Sequence, residues 1–474
     1  MSMSGATPGR LPGPGFPAAL PAGTAAGNRG AIDIAQLVDS RPVGGFHISL
    51  LFWTFLLALL EGYDITAVAF TAPALMRAWN IANPAEFGPV FSATFVGMFF
   101  GAPGLGWVAD RYGRKPAIIA STLIFGAFTL AAAWASSLPE LIVLRALAGI
   151  GIGGLTPAII SLNAEYAPRR VRATMVVITI TGLTFGGAIP GPVANLLVPV
   201  HGWQILYLIG GVIPLVLAAA AAFALPESLK FLSLRDPADP RIARILRRLA
   251  PERDFGPAPR FTVPAEPPRD FHLRDLFAGR LRWVTPLLWL LFIITGMVFY
   301  FLNSWMPLLF NSIGAPVSRS ITAIALFQLG GTVAGLCFGP WFGRYGFKFM
   351  TLLYVLACPV VASIGFLATT ETALLVVVFL AGVTILGVNF GLNAASGLIY
   401  PTAFRANGSG WAFGVARFGS IGGPMIAAAL IGAQVSVQNL YLLAVIPIAV
   451  AGLCAAVLSI TFGRKASGDA LTEN

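Results

Sequence analysis

The chain has 474 residues, of which 57% are hydrophobic and only 10% charged, and its mean hydropathy is +0.81. This composition excludes an ordinary soluble domain and indicates an integral membrane protein. The net charge of +11 does not predict nucleic-acid binding, because the basic residues are distributed as membrane topology requires.

Residues 1–45 precede the first apolar run and are rich in Ala, Gly and Pro. They lack the apolar core of a signal peptide, and their composition favours a disordered arm. Only a short helix around Ile32 to Val38 fits within it.

Twelve apolar runs follow, each long enough to cross about 30 Å of hydrocarbon as a helix. They are continuous rather than alternating, so the predicted fold is an all-α membrane protein and not a β-barrel. The runs span 46–76, 87–109, 116–136, 139–164, 173–198, 203–225, 283–310, 319–342, 349–368, 372–399, 409–432 and 438–462. They form two six-helix bundles, 46–225 and 283–462, with a Pro- and Arg-rich linker loop at 226–282 and a tail at 463–474.

Arg77 and Arg319 are the only Lys or Arg residues in the odd-numbered connections, whereas the arm, tail and even-numbered connections are basic. This positive-inside bias predicts that both termini and the linker are cytoplasmic. The three cysteines lie in membrane spans without paired spacing, and we expect no metal or cofactor.

The two bundles repeat at a constant offset of 233 residues. The segment GWVADRYGRK at 106–115 aligns with GPWFGRYGFK at 339–348, and at the same offset Ala148-Gly149 aligns with Ala381-Gly382 and Pro168 with Pro401. Two parallel six-helix halves with a substrate site between them are the architecture of major facilitator transporters.

Four ionisable residues deep in the predicted helices break this symmetry: Glu61, Asp64, Arg145 and Arg417 align with Ile294, Met297, Val378 and Thr184. A charge at a helix centre costs about 2.5 to 3.5 kcal/mol, so these groups indicate a substrate or ion pathway, or pairs that neutralise each other across helices.

Glu61 and Asp64 lie three residues apart, on one face of the first helix. Two close carboxylates in a low dielectric resist ionising together, so one of them is suited to carry a proton reversibly, and we favour Asp64. Arg145 and Arg417 keep their charge and suit a substrate carboxylate.

The first, fourth, seventh and tenth helices normally line the cavity in this architecture. The seventh carries Tyr300, Asn303 and Trp305, and the tenth carries Asn389 and Asn393 four residues apart. A carboxylate clamp beside aromatic rings and amides suits a planar aromatic acid, although the same side chains also serve packing and interhelix bonds.

The segment GWVADRYGRK resembles the superfamily's signature between the second and third helices. The resemblance implies a conformational latch in which Asp110 caps a helix end or pairs with an arginine. The residues that we expect to take part in gating are Asp110, Arg111, Arg114, Lys115, Glu165, Arg172 and Arg405.

Several segments together resemble the aromatic acid:proton symporters of the major facilitator superfamily. They are EGYD at 61–64, GWVADRYGRK at 106–115, RALAGIGIGGLTP at 145–157, EYAPRRVR at 165–172 and YPTAFRANGSGWAFGVARFGSIGGP at 400–424. The resemblance implies proton-coupled uptake of benzoate-like or hydroxybenzoate-like anions through a bacterial inner membrane. It assigns the acidic pair to Glu61 and Asp64, and essential basic positions to Arg145, Arg405 and Arg417.

Two departures from the family pattern stand out. Glu61 occupies a position where Asp is usual, which lengthens the side chain by one methylene. Gly343 stands where the second-half latch would carry an acid, so latching is expected to be asymmetric.

We therefore predict a transporter, not an enzyme, that acts as a monomer in the bilayer and imports an aromatic carboxylate with a proton by alternating access. The alternatives are a proton-coupled porter of non-aromatic organic acids or sugars, an aromatic-acid efflux antiporter, and a transporter-like chemoreceptor for aromatic acids.

Overall fold

The computed structural model describes residues 31–253, 255–256, 259–263, 272–314, 316–367, 371–401 and 404–463. Twelve of its helices are long and apolar enough to cross a membrane, in agreement with the predicted all-α fold. Numbered 1 to 12 in chain order, they are Gly45–Ala78, Phe87–Tyr112, Arg114–Ala132, Leu138–Tyr166, Arg169–Ala188 with Pro190–His201, Gln204–Ala224, Leu281–Ser312, Val317–Cys337, Phe347–Leu367, Glu371–Ile399, Arg405–Gly432 and Val437–Gly463.

Helix 5 is interrupted at Ile189, where the helix Pro190–His201 begins. Proline lacks the backbone N–H that would continue the ladder, so Pro190 starts a new segment and does not extend the old one. After helix 8, a short separate helix, Gly339–Tyr345, carries the second copy of the repeated motif.

The repeat is visible in the helix packing. A Cβ on Gly149 would lie 2.1 Å from the Thr94 carbonyl oxygen, and a Cβ on Gly382 would lie 1.9 Å from that of Phe327. Both pairs are related by the offset of 233 residues. Helices 2 and 4 therefore press together through the same glycine notch as helices 8 and 10.

Helix 7 departs from the offset by one residue. The Gly186 notch in helix 5 receives the Leu59 carbonyl, whereas the corresponding Gly419 notch in helix 11 receives that of Ile293. The structural counterparts of Glu61 and Asp64 are accordingly Thr295 and Val298, one residue beyond those given by the sequence offset. Neither is ionisable, so the acidic pair remains confined to the N-terminal half.

The two halves meet at the end of the bundle that lies away from the basic connections, which we call the basic end. Helix 2 contacts helix 11 from Gly88 beside Ala428 to Phe99 beside Phe418. Closer to the basic end, a Cβ added at Gly104 or Gly410 would meet no atom within 4 Å.

Helices 5 and 8 form the second contact between the halves. Thr184 and Thr332 share a hydrogen bond of 2.8 Å, and Gly191 packs on Ile321 farther from the basic end. Both contacts between the halves thus avoid the basic end.

Part of the predicted disordered arm is ordered. Ala31–Asp33 forms a parallel strand pair with Arg260–Thr262, and the helix Ile34–Asp39 follows, while residues 1–30 lie outside the described residues. Sequence composition missed this order because the stabilising partner lies far along the chain.

The linker is also more structured than the predicted loop. It contains the helices Leu229–Arg235 and Pro240–Leu249 and a 3₁₀ turn at Leu273–Phe277. One face of Pro240–Leu249 is buried against a core that includes the arm residue Leu37. The arm and the linker thus form one small layer on the N-terminal half.

Candidate functional site

Glu61 and Asp64 are both buried in helix 1, with exposed fractions of 2% and 0%. The intervening Gly62 lets helix 1 approach helix 5, since a Cβ there would lie 1.9 Å from the Leu183 carbonyl oxygen. The Tyr63 hydroxyl donates to the Leu206 carbonyl at 3.2 Å. The segment EGYD therefore combines two acids with the packing that holds them between helices.

Asp64 is bound to Arg145 of helix 4. The guanidinium donates from Nη1 to Oδ1 at 2.9 Å and from Nη2 to Oδ2 at 2.8 Å, and both side chains are fully buried. Nη2 also reaches the Asp64 carbonyl at 3.1 Å, and Thr129 donates to Oδ1 at 2.6 Å. This bidentate pair neutralises two buried charges inside the N-terminal half.

Glu61 has a different environment from Asp64. Its Oε2 accepts a hydrogen bond of 2.6 Å from Thr156 of helix 4. The cation that acts on it electrostatically is Arg417 of helix 11, which belongs to the opposite half. Glu61 is therefore a buried carboxyl between the two halves, held by one hydroxyl and facing a guanidinium without a direct ion pair.

Arg417 is the less constrained of the two membrane arginines. Its Nη1 contacts Met98 Sδ at 3.6 Å, and it forms no ion pair with any carboxylate in the described part of the chain. It also lies close enough to act on the Tyr300 hydroxyl of helix 7. A half-buried cation without a bound carboxylate is suited to receive an anion from outside the protein.

Aromatic rings surround this cation at the interface between the halves. The Tyr300 ring lies 4.1 Å from the Phe95 ring of helix 2 and 4.5 Å from the Phe299 ring, measured between centroids. These π-faces beside a guanidinium match the predicted recognition of a planar aromatic anion.

Asn303 and Trp305 lie farther from the basic end and are buried, with exposed fractions of 1% and 0%. The Trp305 indole donates to the Pro424 carbonyl at 3.2 Å and packs edge-on against Phe91 at 5.2 Å. In this conformation Trp305 seals the contact between helices 2, 7 and 11. Asn303 Oδ1 has no hydrogen-bond partner among the described residues.

Asn389 and Asn393 occupy one face of helix 10 and are both half-buried. The Asn393 amide lies 3.5 Å from Asn389 Oδ1, at the long limit of a hydrogen bond. Their amides are therefore largely uncommitted, and their predicted role in substrate binding remains a prediction.

The latch residues form contacts within their own half. Arg114 donates to Asp110 at 2.8 Å and has its Nε 4.0 Å from Glu165 Oε1. Arg111 is exposed, and the backbone N–H of Lys115 donates to Glu227 at 3.1 Å. Asp110 thus pairs with an arginine, as predicted, but that arginine is on the next helix of the same half.

The two remaining predicted gating residues contact local carbonyls. Arg172 donates to Ala167 at 3.3 Å, and Arg405 donates to Tyr400 at 3.3 Å. Each arginine steadies the turn that precedes its own helix, one turn in each half.

Sequence reasoning missed the hydroxyl and carboxyl partners of these residues. Thr129 and Thr156 hold the two membrane acids, and each is one of many threonines in apolar helices. Glu227 accepts from the backbone N–H groups of Lys115 and Ser228. Its position in PESLKF, directly after the sixth apolar run, was the available signal for a residue that closes the bundle end.

Comparison with known proteins gives matches along most of the chain. The model of the Major Facilitator Superfamily matches residues 54–398. The 4-hydroxybenzoate transporter PcaK of Pseudomonas aeruginosa is 35% identical over 425 residues, covering 89% of this chain and 94% of that protein. A gallate transporter of Pseudomonas putida is 36% identical over 426 residues, with coverage of 89% and 94%.

Among solved structures, the xylose transporter XylE from E. coli, in a partially occluded inward-open conformation, superposes with a TM-score of 0.68. The two chains are 17% identical, and the match covers 90% of this chain and 100% of XylE. At this identity the likeness concerns the fold alone.

Proposed function

We propose that this chain, which belongs to the Major Facilitator Superfamily, imports a benzoate-type anion together with a proton by alternating access. Membership of this transporter superfamily makes the chain a multi-pass membrane protein and not an enzyme. Support for the substrate class comes from relatives whose names specify 4-hydroxybenzoate and gallate, both of which are hydroxylated benzoates.

The observation that carries the proposal is the position of Arg417. This guanidinium lies at the interface between the halves, beside Tyr300 and Phe95, and it has no bound carboxylate among the described residues. In the proposed complex the substrate carboxylate binds Arg417, and its ring lies against the aromatic side chains.

The contacts favour Glu61 over Asp64 as the proton carrier. Asp64 accepts two bonds from Arg145 and one from Thr129, so protonating it would leave a buried guanidinium without its counterion. Glu61 accepts from Thr156 alone and faces the proposed anion site. Protonation of Glu61 would leave Arg417 free for the substrate carboxylate, which would link the two binding events.

The orientation follows from the distribution of basic residues. With the basic end in the cytoplasm, the present conformation is closed toward the outside and faces inward. The latch contacts of Asp110 and Arg114 then belong to a state in which the first-half motif is disengaged from the second half. Closure of the basic end would complete the transport cycle.

The decisive experiment uses purified protein in proteoliposomes with an inward proton gradient. Radiolabelled 4-hydroxybenzoate should accumulate above its external concentration, and a protonophore should release it. Uptake should also alkalinise the external medium only when substrate is present. Accumulation that ignores the proton gradient would refute symport.

The same vesicles separate the alternative functions. Stronger competition by sugars or aliphatic acids than by benzoates would favour a porter of non-aromatic solutes. Substrate extrusion driven by inward proton movement would identify an antiporter, and binding without flux would identify a receptor.

A further inference from the structure

The contact between helices 8 and 5 differs chemically from its symmetry-related contact between helices 2 and 11. At the offset of 233 residues, Phe95 and Phe99 of helix 2 correspond to Gln328 and Thr332 of helix 8, while Arg417 corresponds to Thr184. One side of the interface is therefore aromatic and cationic, and the other carries an amide and two hydroxyls.

Gln328 sits in a notch that glycine provides. Its Nε2 lies 2.0 Å from the position that a Cβ on Gly187 would take, and Thr66 Oγ1 lies 3.0 Å from the same point. Any larger residue at 187 would displace the amide. The interface is thus shaped to bring the Gln328 side chain against helices 1 and 5.

The amide oxygen of Gln328 is an unused acceptor. The residue is only 3% exposed, and Oε1 has no hydrogen-bond partner among the described residues. Thr184 and Thr332 bond to each other at 2.8 Å, so their hydroxyl groups are already engaged. A buried carbonyl oxygen without a donor is costly unless a ligand or water supplies one.

Gln328 and Arg417 flank the same turn of helix 1. Arg417 acts on the Glu61 carboxyl, whereas the adjacent Gly62 packs on Leu183 and Gly187, the notch that holds Gln328. An aromatic acid whose carboxylate binds Arg417 would therefore direct the far side of its ring toward Gln328.

We infer that Gln328 determines specificity by accepting a hydrogen bond from a ring hydroxyl of the substrate. The inference rests on the proposed function, because it assumes that Arg417 holds the carboxylate of an aromatic acid. A phenolic hydroxyl supplies the donor that Oε1 lacks, whereas unsubstituted benzoate has none. Sites built to bind a substrate hydroxyl discriminate against the analogue that lacks it.

The test compares Gln328→Met, which keeps side-chain length but removes the amide, with Gln438→Met at an exposed position. Inhibition constants of benzoate and of 2-, 3- and 4-hydroxybenzoate are measured against 4-hydroxybenzoate uptake in proteoliposomes. The wild type and the control should prefer at least one hydroxybenzoate to benzoate by about tenfold or more.

In Gln328→Met that preference should fall to about twofold or less, because the favoured hydroxybenzoate weakens while the benzoate constant stays near its wild-type value. Equal weakening of all four acids would indicate a purely structural role and overturn the inference. An unchanged preference would also overturn it, yet leave the proposed function standing. Failure of the wild type to take up any aromatic acid would overturn both.

Discussion

Arg145 binds Asp64 through two parallel hydrogen bonds of 2.9 and 2.8 Å, with both side chains fully buried. Because the pair lies wholly within the N-terminal half, rocking of the halves need not break it. Its partner acid Glu61 lies one turn away and interacts with the opposite half. Two carboxylates three residues apart are thus divided between structure and coupling.

Breaking this pair should destabilise the protein as well as stop transport. Asp64→Asn leaves the buried Arg145 without its counterion, which costs about 3–5 kcal/mol in comparable buried pairs. We expect a large drop in purified yield and in the unfolding temperature in detergent. The double variant Asp64→Leu with Arg145→Met should recover stability, because it removes both charges.

Transport by the double variant then reports the role of the pair. If the pair is structural, uptake should recover along with stability. Recovery of stability without any proton-driven accumulation would instead return the coupling role to Asp64.

Glu61→Gln should uncouple transport from the proton gradient. The variant keeps an acceptor for Thr156 at nearly the same shape but cannot release a proton. We expect counterflow exchange of 4-hydroxybenzoate to persist while gradient-driven accumulation is lost. Thr156→Val is the matched control, since it removes the hydroxyl and leaves the carboxyl. Undiminished accumulation by Glu61→Gln would exclude Glu61 as the carrier.

Arg417 should control affinity for the anion. Arg417→Met removes the proposed carboxylate partner, and we expect 4-hydroxybenzoate to bind at least about tenfold more weakly, equivalent to about 1.4 kcal/mol. Met98→Leu serves as control, because it removes the sulfur that contacts Arg417 and retains the charge. Calorimetric titration of purified protein measures both. Equal affinity in the wild type and Arg417→Met would place the substrate carboxylate elsewhere.

Gly382 should tolerate no side chain. A Cβ there would lie 1.9 Å from the Phe327 carbonyl oxygen, so Gly382→Ala must push helices 8 and 10 apart. Overpacking of this kind typically costs about 1–3 kcal/mol. Gly104→Ala meets no atom within 4 Å and gains helix propensity, so its unfolding temperature should equal or exceed that of the wild type. Similar unfolding temperatures for both variants would contradict the close packing.

The sequence predicted the twelve helices and the repeat because both depend on local apolar patterns and on fold symmetry. It also identified the buried acids and arginines, since a charge in an apolar run is conspicuous. It did not predict which arginine binds which acid, because Thr129, Thr156 and Met98 meet these groups only after distant helices pack. Order in the arm was missed for the same reason.

Alternating access requires the end opposite the basic loops to open, and a crosslink there should prevent it. A Cβ on Gly432 would lie 3.6 Å from the Ala85 Cβ, within the separation that a disulfide spans. Ala85 precedes helix 2 and Gly432 ends helix 11, so Ala85→Cys with Gly432→Cys would join the two halves.

In a background with Cys337, Cys358 and Cys454 replaced, oxidation of the double variant should abolish uptake, and a reductant should restore it. Each single cysteine variant should transport equally in both conditions, which controls for the oxidant itself. Because opening this end admits substrate, the locked protein should still bind 4-hydroxybenzoate from the basic end. Full uptake by the crosslinked protein would show that the halves need not separate here during transport.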